Sequence, residues 1–300
     1  MSAPHLPMLR GCGTALVTPF HEDGSVDEVA LRTLVDWQIR EGVDFLVPGG
    51  STGEAATLSF EEHVRVVAVT AEEADGRVPI VAGAGSNDTA KAIRLSRAVT
   101  DVGVTHLLHV SPMYNKPPQR GLVAHFTAIA DAVDRPVVLY NVPGRTASNM
   151  EAATQLILAE HPNVVATKEA SGNLAQMEEI LRSRPEGFSV LSGDDGLTLP
   201  LISMGGDGII SVVSNATPRA MADLTRAALA GDYDAAREIH HRLAPWMSAA
   251  FIESNPIPVK AAVAALGRIK NVLRLPLVPL ADANRPVVMA ALRSAGTRLP

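Results

Sequence analysis

Short apolar segments rich in β-branched residues recur along the first two thirds of the chain, and polar residues follow each of them. Runs of this length and composition are typical of buried strands in a parallel sheet. Eight segments are therefore predicted as strands: 15–18, 44–47, 79–82, 106–110, 137–140, 164–167, 189–191 and 208–213.

Amphipathic segments separate these strands. The clearest covers residues 120–133, where Leu122, Phe126, Ile129 and Val133 fall on one face at helical spacing. Further helices are predicted at 27–40, 60–73, 88–102, 149–159, 174–182 and 196–203. The alternation predicts a parallel sheet covered by helices. Eight units at this regular spacing favour a closed (β/α)8 TIM barrel, of the α/β class, over an open doubly wound sheet.

The alternation stops after about Gly231. Residues 232–243, 244–265 and 284–294 are predicted as helices, with few strand signals between them. We therefore expect two parts, a catalytic (β/α)8 barrel over residues 1–231 and a C-terminal helical extension over residues 232–300.

Composition narrows the class of protein. The chain has 300 residues, of which 47% are hydrophobic, as in ordinary globular proteins. A formal charge of -6 gives no support for nucleic-acid or membrane-surface binding. The single cysteine, Cys12, excludes an intrachain disulfide and a Cys-rich metal site. The chain shows no signal-peptide pattern and no bilayer-length apolar stretch, so a cytoplasmic protein is expected.

Lys168 ends the sixth predicted strand and is followed at once by turn-forming residues. In a (β/α)8 barrel, active sites lie at the carboxyl ends of the strands. Burial there would favour the neutral amine, which is the form that attacks a carbonyl. The alternative is a surface lysine paired with Glu169.

Polar motifs follow other strands. The glycine-rich loop 48–54 offers backbone N–H groups to an anion, and it lacks the lysine of a nucleotide P-loop. Tyr114, after the fourth strand, is a proton carrier or simply a packed aromatic. Arg145, after the fifth strand, offers a planar fork to a carboxylate or forms a surface ion pair.

Two further pairs of residues could suggest metal binding. Asp194 and Asp195 form a metal site or cap the following helix, and we favour the cap, with Asp195 near the helix N-terminus. His240 and His241 are interpreted as solvated, because no ligand set lies near them in the sequence. A metal-dependent aldolase would need a cluster of histidines and carboxylates that this sequence does not supply. We expect neither a metal nor an organic cofactor.

Six motifs together resemble one family. They lie at residues 49–54, 114–117, 140–146, 168–173, 191–195 and 255–260. Their order and spacing resemble those of the 4-hydroxy-tetrahydrodipicolinate synthases, also called dihydrodipicolinate synthases. These belong to the pyruvate-dependent class I aldolase superfamily, which includes N-acetylneuraminate lyase. The resemblance extends from about residue 13 to the C-terminus.

The resemblance implies condensation of pyruvate with L-aspartate 4-semialdehyde through a lysine Schiff base, in lysine and diaminopimelate biosynthesis. The residues that it implies are Lys168 for the imine, Tyr140, Tyr114 and Ser51 for the proton relay, Thr52 and Gly50 for the pyruvate carboxylate, Arg145 for the carboxylate of the aldehyde, and Ile210 for a backbone position beside the lysine.

The resemblance also implies a homo-oligomer. In the family the equivalent of Tyr114 crosses into the neighbouring subunit's site, and the usual assembly is a tetramer built as a dimer of dimers. Ser51 departs from the family's usual threonine, which keeps the hydroxyl but loses a methyl that restricts the rotamer. Family members inhibited by lysine carry a glutamate where this chain has Lys91, so weak or absent feedback by lysine is expected.

Two alternatives stay open. The first is a related class I aldolase that acts on a 2-keto-3-deoxy sugar acid or on N-acetylneuraminate, against which Arg145 argues. The second is a catalytically silent relative used as a binding protein, against which the intact lysine and both tyrosines argue. A panel of substrates separates the three functions.

Overall fold

Eight parallel strands form the centre of the molecule. The computed structural model describes residues 8–298. The strands are β1 (Gly11–Ala15), β2 (Phe45–Val47), β3 (Val81–Gly83), β4 (His106–Val110), β5 (Val137–Asn141), β6 (Val164–Glu169), β7 (Ser189–Ser192) and β8 (Gly208–Ser211).

The strands close into a barrel. They are hydrogen-bonded in the order β2-β1-β8-β7-β6-β5-β4-β3, with every pair parallel. The remaining gap, between β2 and β3, is bridged by the parallel pair Leu46 and Ile80. The predicted (β/α)8 TIM barrel is therefore confirmed, and the open doubly wound sheet is excluded.

Helices surround the barrel and continue beyond it. They are α1 (Glu28–Arg40), α2 (Phe60–Ala74), α3 (Thr89–Thr100), α4 (Gln119–Ala132), α5 (Pro143–Thr146), α6 (Ala152–Ala159), α7 (Leu174–Ser183), α8 (Thr198–Ser203), α9 (Pro218–Leu229), α10 (Tyr233–Ala249), α11 (Ile257–Ala265) and α12 (Arg285–Ser294). No helix within residues 8–298 is long and apolar enough to cross a membrane.

The alternation of side chains along each strand produces two hydrophobic cores. Residues such as Leu107 and Leu139 face outward and pack beneath the helices. Their neighbours Leu108, Val138 and Tyr140 face inward and fill the barrel. Because strand side chains alternate with a period of two, each strand can serve both cores at once. The same alternation determines which side chains at the strand ends point into the mouth of the barrel.

The structure differs from the prediction at three places. The first strand lies four residues earlier than predicted, at β1, because its glycines have low strand propensity. Gly13 is required there, since a Cβ would come within 2.0 Å of the Phe45 ring. Helix α9, which begins at Pro218, was not predicted at all. The predicted break after Leu243 does not occur, because α10 continues through Pro245 to Ala249.

Packing explains the continuity of α10. A proline inside a helix removes one hydrogen bond and costs about 3 kcal/mol. Leu243, Trp246 and Met247 are buried on both sides of Pro245, and their burial offsets that cost. The predicted division of the chain at residue 231 stays a prediction; the turn between α9 and α10 lies there.

Candidate active site

A cavity of about 550 Å³ opens at the carboxyl ends of the strands. Six of the eight predicted site residues line it: Gly50, Ser51, Thr52, Tyr140, Arg145 and Lys168. Tyr140 and Lys168 lie at the ends of β5 and β6, and the other four lie in the segments that follow β2 and β5. Parallel strands bring these ends together at one end of the barrel. Helix α10 and the segment that follows it cover the cavity with His240, Ala244, Met247, Ser248, Phe251 and Asn255.

Lys168 is a buried amine at the centre of this site. It lies near the end of β6, is only 4% exposed, and pairs in register with Tyr140 on β5. Its Nζ lies 4.2 Å from the centre of the Tyr140 ring. Burial lowers the pKa of Lys168 to about 7; Asp195 opposes this shift, and the positive charge of Arg145 adds to it. About half of the amine is therefore neutral near pH 7.

The neighbouring Glu169 does not pair with Lys168. Its side chain points to the other face of β6, where the amides of Asn141, Gln155 and Gln176 donate to its carboxylate. The alternative of a surface lysine paired with Glu169 is therefore excluded.

Tyr140 has the opposite shift. Burial raises the pKa of its phenol to about 12, against the lowering effect of Arg145. The hydroxyl therefore stays protonated at neutral pH and can donate a hydrogen bond or hand on a proton.

Gly193 makes room for the lysine. A Cβ at this position would lie 3.0 Å from Lys168 Cε and 2.6 Å from Ala170 Cβ. Any side chain would therefore displace the amine or the loop after β6. The motif 191–195 was noted in the sequence, but this steric requirement depends on the neighbouring strand and has no local signal.

The loop after β2 is shaped to present hydroxyl and amide groups. Ser51, Thr52 and Gly53 form one 3-10 turn, in which Thr52 is buried and Ser51 is exposed. The carbonyl of Gly53 accepts a 2.7 Å hydrogen bond from the Thr18 hydroxyl. Glu54 ends the turn in the left-handed conformation, with φ of 56°. The turn thus directs its polar groups toward the cavity.

Arg145 lies at the rim. It belongs to the short helix α5, is exposed, and lines the cavity. Its Nη2 donates to the carbonyl of Asn255 at 3.2 Å, and the rest of the guanidinium remains available to a ligand. No carboxylate within the described residues pairs with it, so the surface ion pair does not occur there.

Two predicted residues do not line the cavity. Tyr114 is 89% exposed, and its φ of 72° is unusual for a tyrosine. Ile210 is fully buried in the inner core of the barrel, and Val212 lines the cavity from the same end of β8. A single chain therefore does not bring the Tyr114 hydroxyl to Lys168.

The aspartate pair forms the favoured cap: the Asp194 carboxylate accepts from the Gly196 N–H, and Asp195 is the first residue of the 3-10 turn Asp195–Leu197. Asp195 is buried and binds Ser211 and the N–H of Val212 at the end of β8; burial raises its pKa to about 6.

His240 is not simply solvated. It lines the cavity from α10, and burial lowers its pKa, with a smaller contribution from His241. Its position could not be recognised in the sequence, because α10 reaches the barrel only through the tertiary fold.

A TIM barrel with a buried lysine of lowered pKa at its mouth is the arrangement of an aldolase-type lyase. The profile of the dihydrodipicolinate synthetase family matches residues 8–295. The chain belongs to this family.

Similar proteins cover nearly the whole chain. A 4-hydroxy-tetrahydrodipicolinate synthase of Koribacter versatilis is 54% identical over 96% of both chains. The crystal structure of dihydrodipicolinate synthase from Aquifex aeolicus has a TM-score of 0.95 at 43% identity, covering 97% of this chain and 99% of that one. The chloride-inhibited enzyme from Acinetobacter baumannii, solved in complex with pyruvate, has a TM-score of 0.94 at 43% identity, covering 96% of this chain and 99% of that one.

Proposed function

We propose that this chain condenses pyruvate with L-aspartate 4-semialdehyde to 4-hydroxy-tetrahydrodipicolinate, as in lysine and diaminopimelate biosynthesis. The observation that carries this proposal is the amine of Lys168, which is buried beside Tyr140 and has its pKa lowered to about 7. Full-length similarity to 4-hydroxy-tetrahydrodipicolinate synthases, and to a family member solved with pyruvate, supports it.

The first half of the reaction forms the nucleophile. The neutral Nζ of Lys168 attacks the ketone carbon of pyruvate, and loss of water gives an imine. Thr52 and the N–H groups of the loop at Gly50 hold the pyruvate carboxylate. Tyr140 carries protons between the imine nitrogen and the methyl carbon as the imine becomes an enamine, and Ser51 and Tyr114 extend that relay.

The second half uses the aldehyde. The enamine carbon attacks the aldehyde carbon, while Arg145 binds the carboxylate of L-aspartate 4-semialdehyde. The amino group of that substrate then attacks the imine carbon, closes the ring, and releases the amine of Lys168. Every step is addition, elimination or proton transfer, so the reaction is redox-neutral and requires no redox cofactor.

We propose that the active unit is at least a dimer. Tyr114 is exposed and separate from the cavity of its own chain, so its relay role requires the site of a neighbouring subunit. A homotetramer built as a dimer of dimers satisfies this requirement for all four sites.

Chemical trapping tests the Schiff base. Incubation with pyruvate and borohydride should fix a single pyruvate adduct on Lys168, because reduction of the imine leaves a stable secondary amine on the protein. Peptide mass mapping locates the adduct, and a sample without pyruvate is the control. An adduct on Lys116, Lys260 or Lys270 instead of Lys168 would falsify the assignment.

Replacing Arg145 by alanine should impair use of the aldehyde more than formation of the pyruvate imine. The variant loses a guanidinium that can bind a carboxylate through two hydrogen bonds. The transition state for the aldehyde should therefore lose about 2–4 kcal/mol of stabilisation, which lowers kcat/KM for the aldehyde. The same assays with Arg237→Ala, which removes an exposed arginine elsewhere, should match the parent. Loss of imine formation with normal aldehyde use would contradict the role of Arg145. Activity on a sugar acid, with none on the aldehyde, would favour the related lyase.

We expect lysine to inhibit weakly or not at all. In lysine-inhibited members of the family the inhibitor lies in a cleft whose matching positions here include Phe60, His63 and Lys91. Lys91 is 78% exposed, with its Nζ 3.8 Å from Asp88 Oδ2, and the Arg94 guanidinium lies 4.3 Å above the Phe60 ring. His63 is already bonded to the Gly83 carbonyl at 2.7 Å. Two cations repel a cationic ligand rather than attract it. A dose-response assay, with potassium chloride matching the ionic strength, should show no clear inhibition below about 1 mM lysine. Clear inhibition in that range would show that the cleft still binds lysine.

A further inference from the structure

One segment of the C-terminal region contacts both groups that are proposed to bind substrate carboxylates. The side-chain Nδ2 of Asn255 donates to Thr52 Oγ1 at 2.8 Å. The backbone carbonyl of the same residue accepts from Arg145 Nη2 at 3.2 Å. Asn255 lines the cavity, is 5% exposed, and its side-chain Oδ1 has no hydrogen-bond partner within residues 8–298.

The direction of the first hydrogen bond determines what Thr52 can do. A hydroxyl has one hydrogen to donate, and its oxygen can accept others. Because the Asn255 amide donates to the oxygen, the Thr52 hydrogen remains for another acceptor. Within residues 8–298 the Thr52 hydroxyl donates to no protein group. Since Thr52 lines the cavity, its hydrogen is available to an acceptor there.

A buried ion pair fixes the same segment a short distance further along. Lys260 Nζ donates to Glu54 Oε1 at 2.6 Å and to the Thr18 carbonyl at 2.9 Å. Both charged side chains are fully buried. Glu54 follows directly on the turn that contains Thr52. The segment is therefore attached to the loop at two points, the Thr52 hydroxyl itself and the Glu54 carboxylate that follows it.

We propose that Asn255 is a positioning residue for both carboxylate sites. Its amide sets the Thr52 hydroxyl as a donor toward the carboxylate of pyruvate, and its carbonyl holds Arg145 at the site of the second carboxylate. This inference rests on the proposed function, because it takes pyruvate as the ligand of Thr52. It assigns the C-terminal region a part in substrate recognition.

Substitution by aspartate tests the direction of the hydrogen bond. Aspartate has nearly the same shape as asparagine but only accepts, so it would take the Thr52 hydrogen and repel the pyruvate carboxylate. We expect Asn255→Asp to raise the KM for pyruvate on the order of one-hundredfold, and Asn255→Ala on the order of tenfold. The KM for the aldehyde should change less than about threefold in Asn255→Ala, because the bond to Arg145 uses the backbone.

Two controls isolate the effect. Asn163→Asp makes the same change at an asparagine that donates to three backbone carbonyls at the opposite end of the barrel, and its KM for pyruvate should stay at the parent's value. In a Thr52→Val background, Asn255→Ala should add no further loss, because the hydroxyl that it orients is gone. If Asn255→Asp does not fold, this double-mutant cycle of Thr52→Val and Asn255→Ala still tests whether Asn255 acts through the Thr52 hydroxyl.

The outcomes separate the two proposals. Absence of a borohydride adduct on Lys168 in the parent overturns the proposed function. A normal parent adduct, with the pyruvate dependence of Asn255→Asp unchanged or better than that of Asn255→Ala, overturns the positioning role alone. Fully additive losses from Thr52→Val and Asn255→Ala also overturn it.

Discussion

Replacing Lys168 by alanine should reduce turnover by about 10⁴-fold or more, equivalent to roughly 5.5 kcal/mol of lost transition-state stabilisation. The amine is the atom that bonds to pyruvate in the proposed mechanism, and no other lysine lines the cavity in the described part of the chain. Without it the covalent route is lost. The measurement is steady-state turnover, with borohydride trapping as a second readout.

The pH dependence gives a further check on the same amine. Since burial places the pKa of Lys168 at about 7 instead of 10.5, the neutral form is lost as pH falls below about 7. The rate of imine formation should therefore rise with pH up to about 7 and then level off. A rate that continued to rise toward pH 10 would show an amine with its ordinary pKa.

The Lys168→Arg variant, which keeps a cation but cannot form the imine, should be as inactive as Lys168→Ala.

Replacing Lys260 by methionine should destabilise the fold by about 3–5 kcal/mol, because it leaves the buried Glu54 carboxylate without its counter-charge. Methionine has nearly the length of lysine and creates little cavity. Lys260 Nζ also lies 4.3 Å from the centre of the Phe20 ring, a contact that depends on its charge. Denaturant unfolding of parent and variant measures the loss.

A double variant separates charge from shape. Glu54→Gln combined with Lys260→Met removes both charges, and we expect it to recover most of the stability lost by the single change. The matched surface control is Lys270→Met, which removes an exposed pair with Glu22 and should change the unfolding free energy by less than about 1 kcal/mol. A single variant as stable as the parent would show that the buried pair is not needed.

The strands of the barrel were predictable because burial on both faces leaves continuous apolar runs. β4 was predicted at its observed bounds, and β5 and β6 at their first residues. β1 was misplaced because Gly11 and Gly13 have low strand propensity and are selected by contact with Asp44 and Phe45. Such contacts depend on the neighbouring strand and leave no periodic signal in the chain itself.

The site was partly predictable for a related reason. Parallel strands bring their carboxyl ends together, so Lys168, Tyr140 and Arg145 could be placed at one end of the barrel from their sequence positions alone. Residues 255–260 were noted as a motif, but the contacts of Asn255 and the place of His240 depend on how α10 and the following segment fold back over the barrel. Tyr114, whose part in the proton relay came only from the resemblance, is exposed and does not line the cavity of its own chain.

The long sequence separation between Thr52 and Asn255 also means that these two partners are synthesised at different times. Domains emerge from the ribosome at about 5–20 residues per second, so the 203 residues between these partners take about 10–40 s to synthesise. During that interval neither the Asn255 amide nor the Lys260 ammonium has been made. The contacts of Thr52 and Glu54 with these two groups can therefore form only after residue 260 has been synthesised.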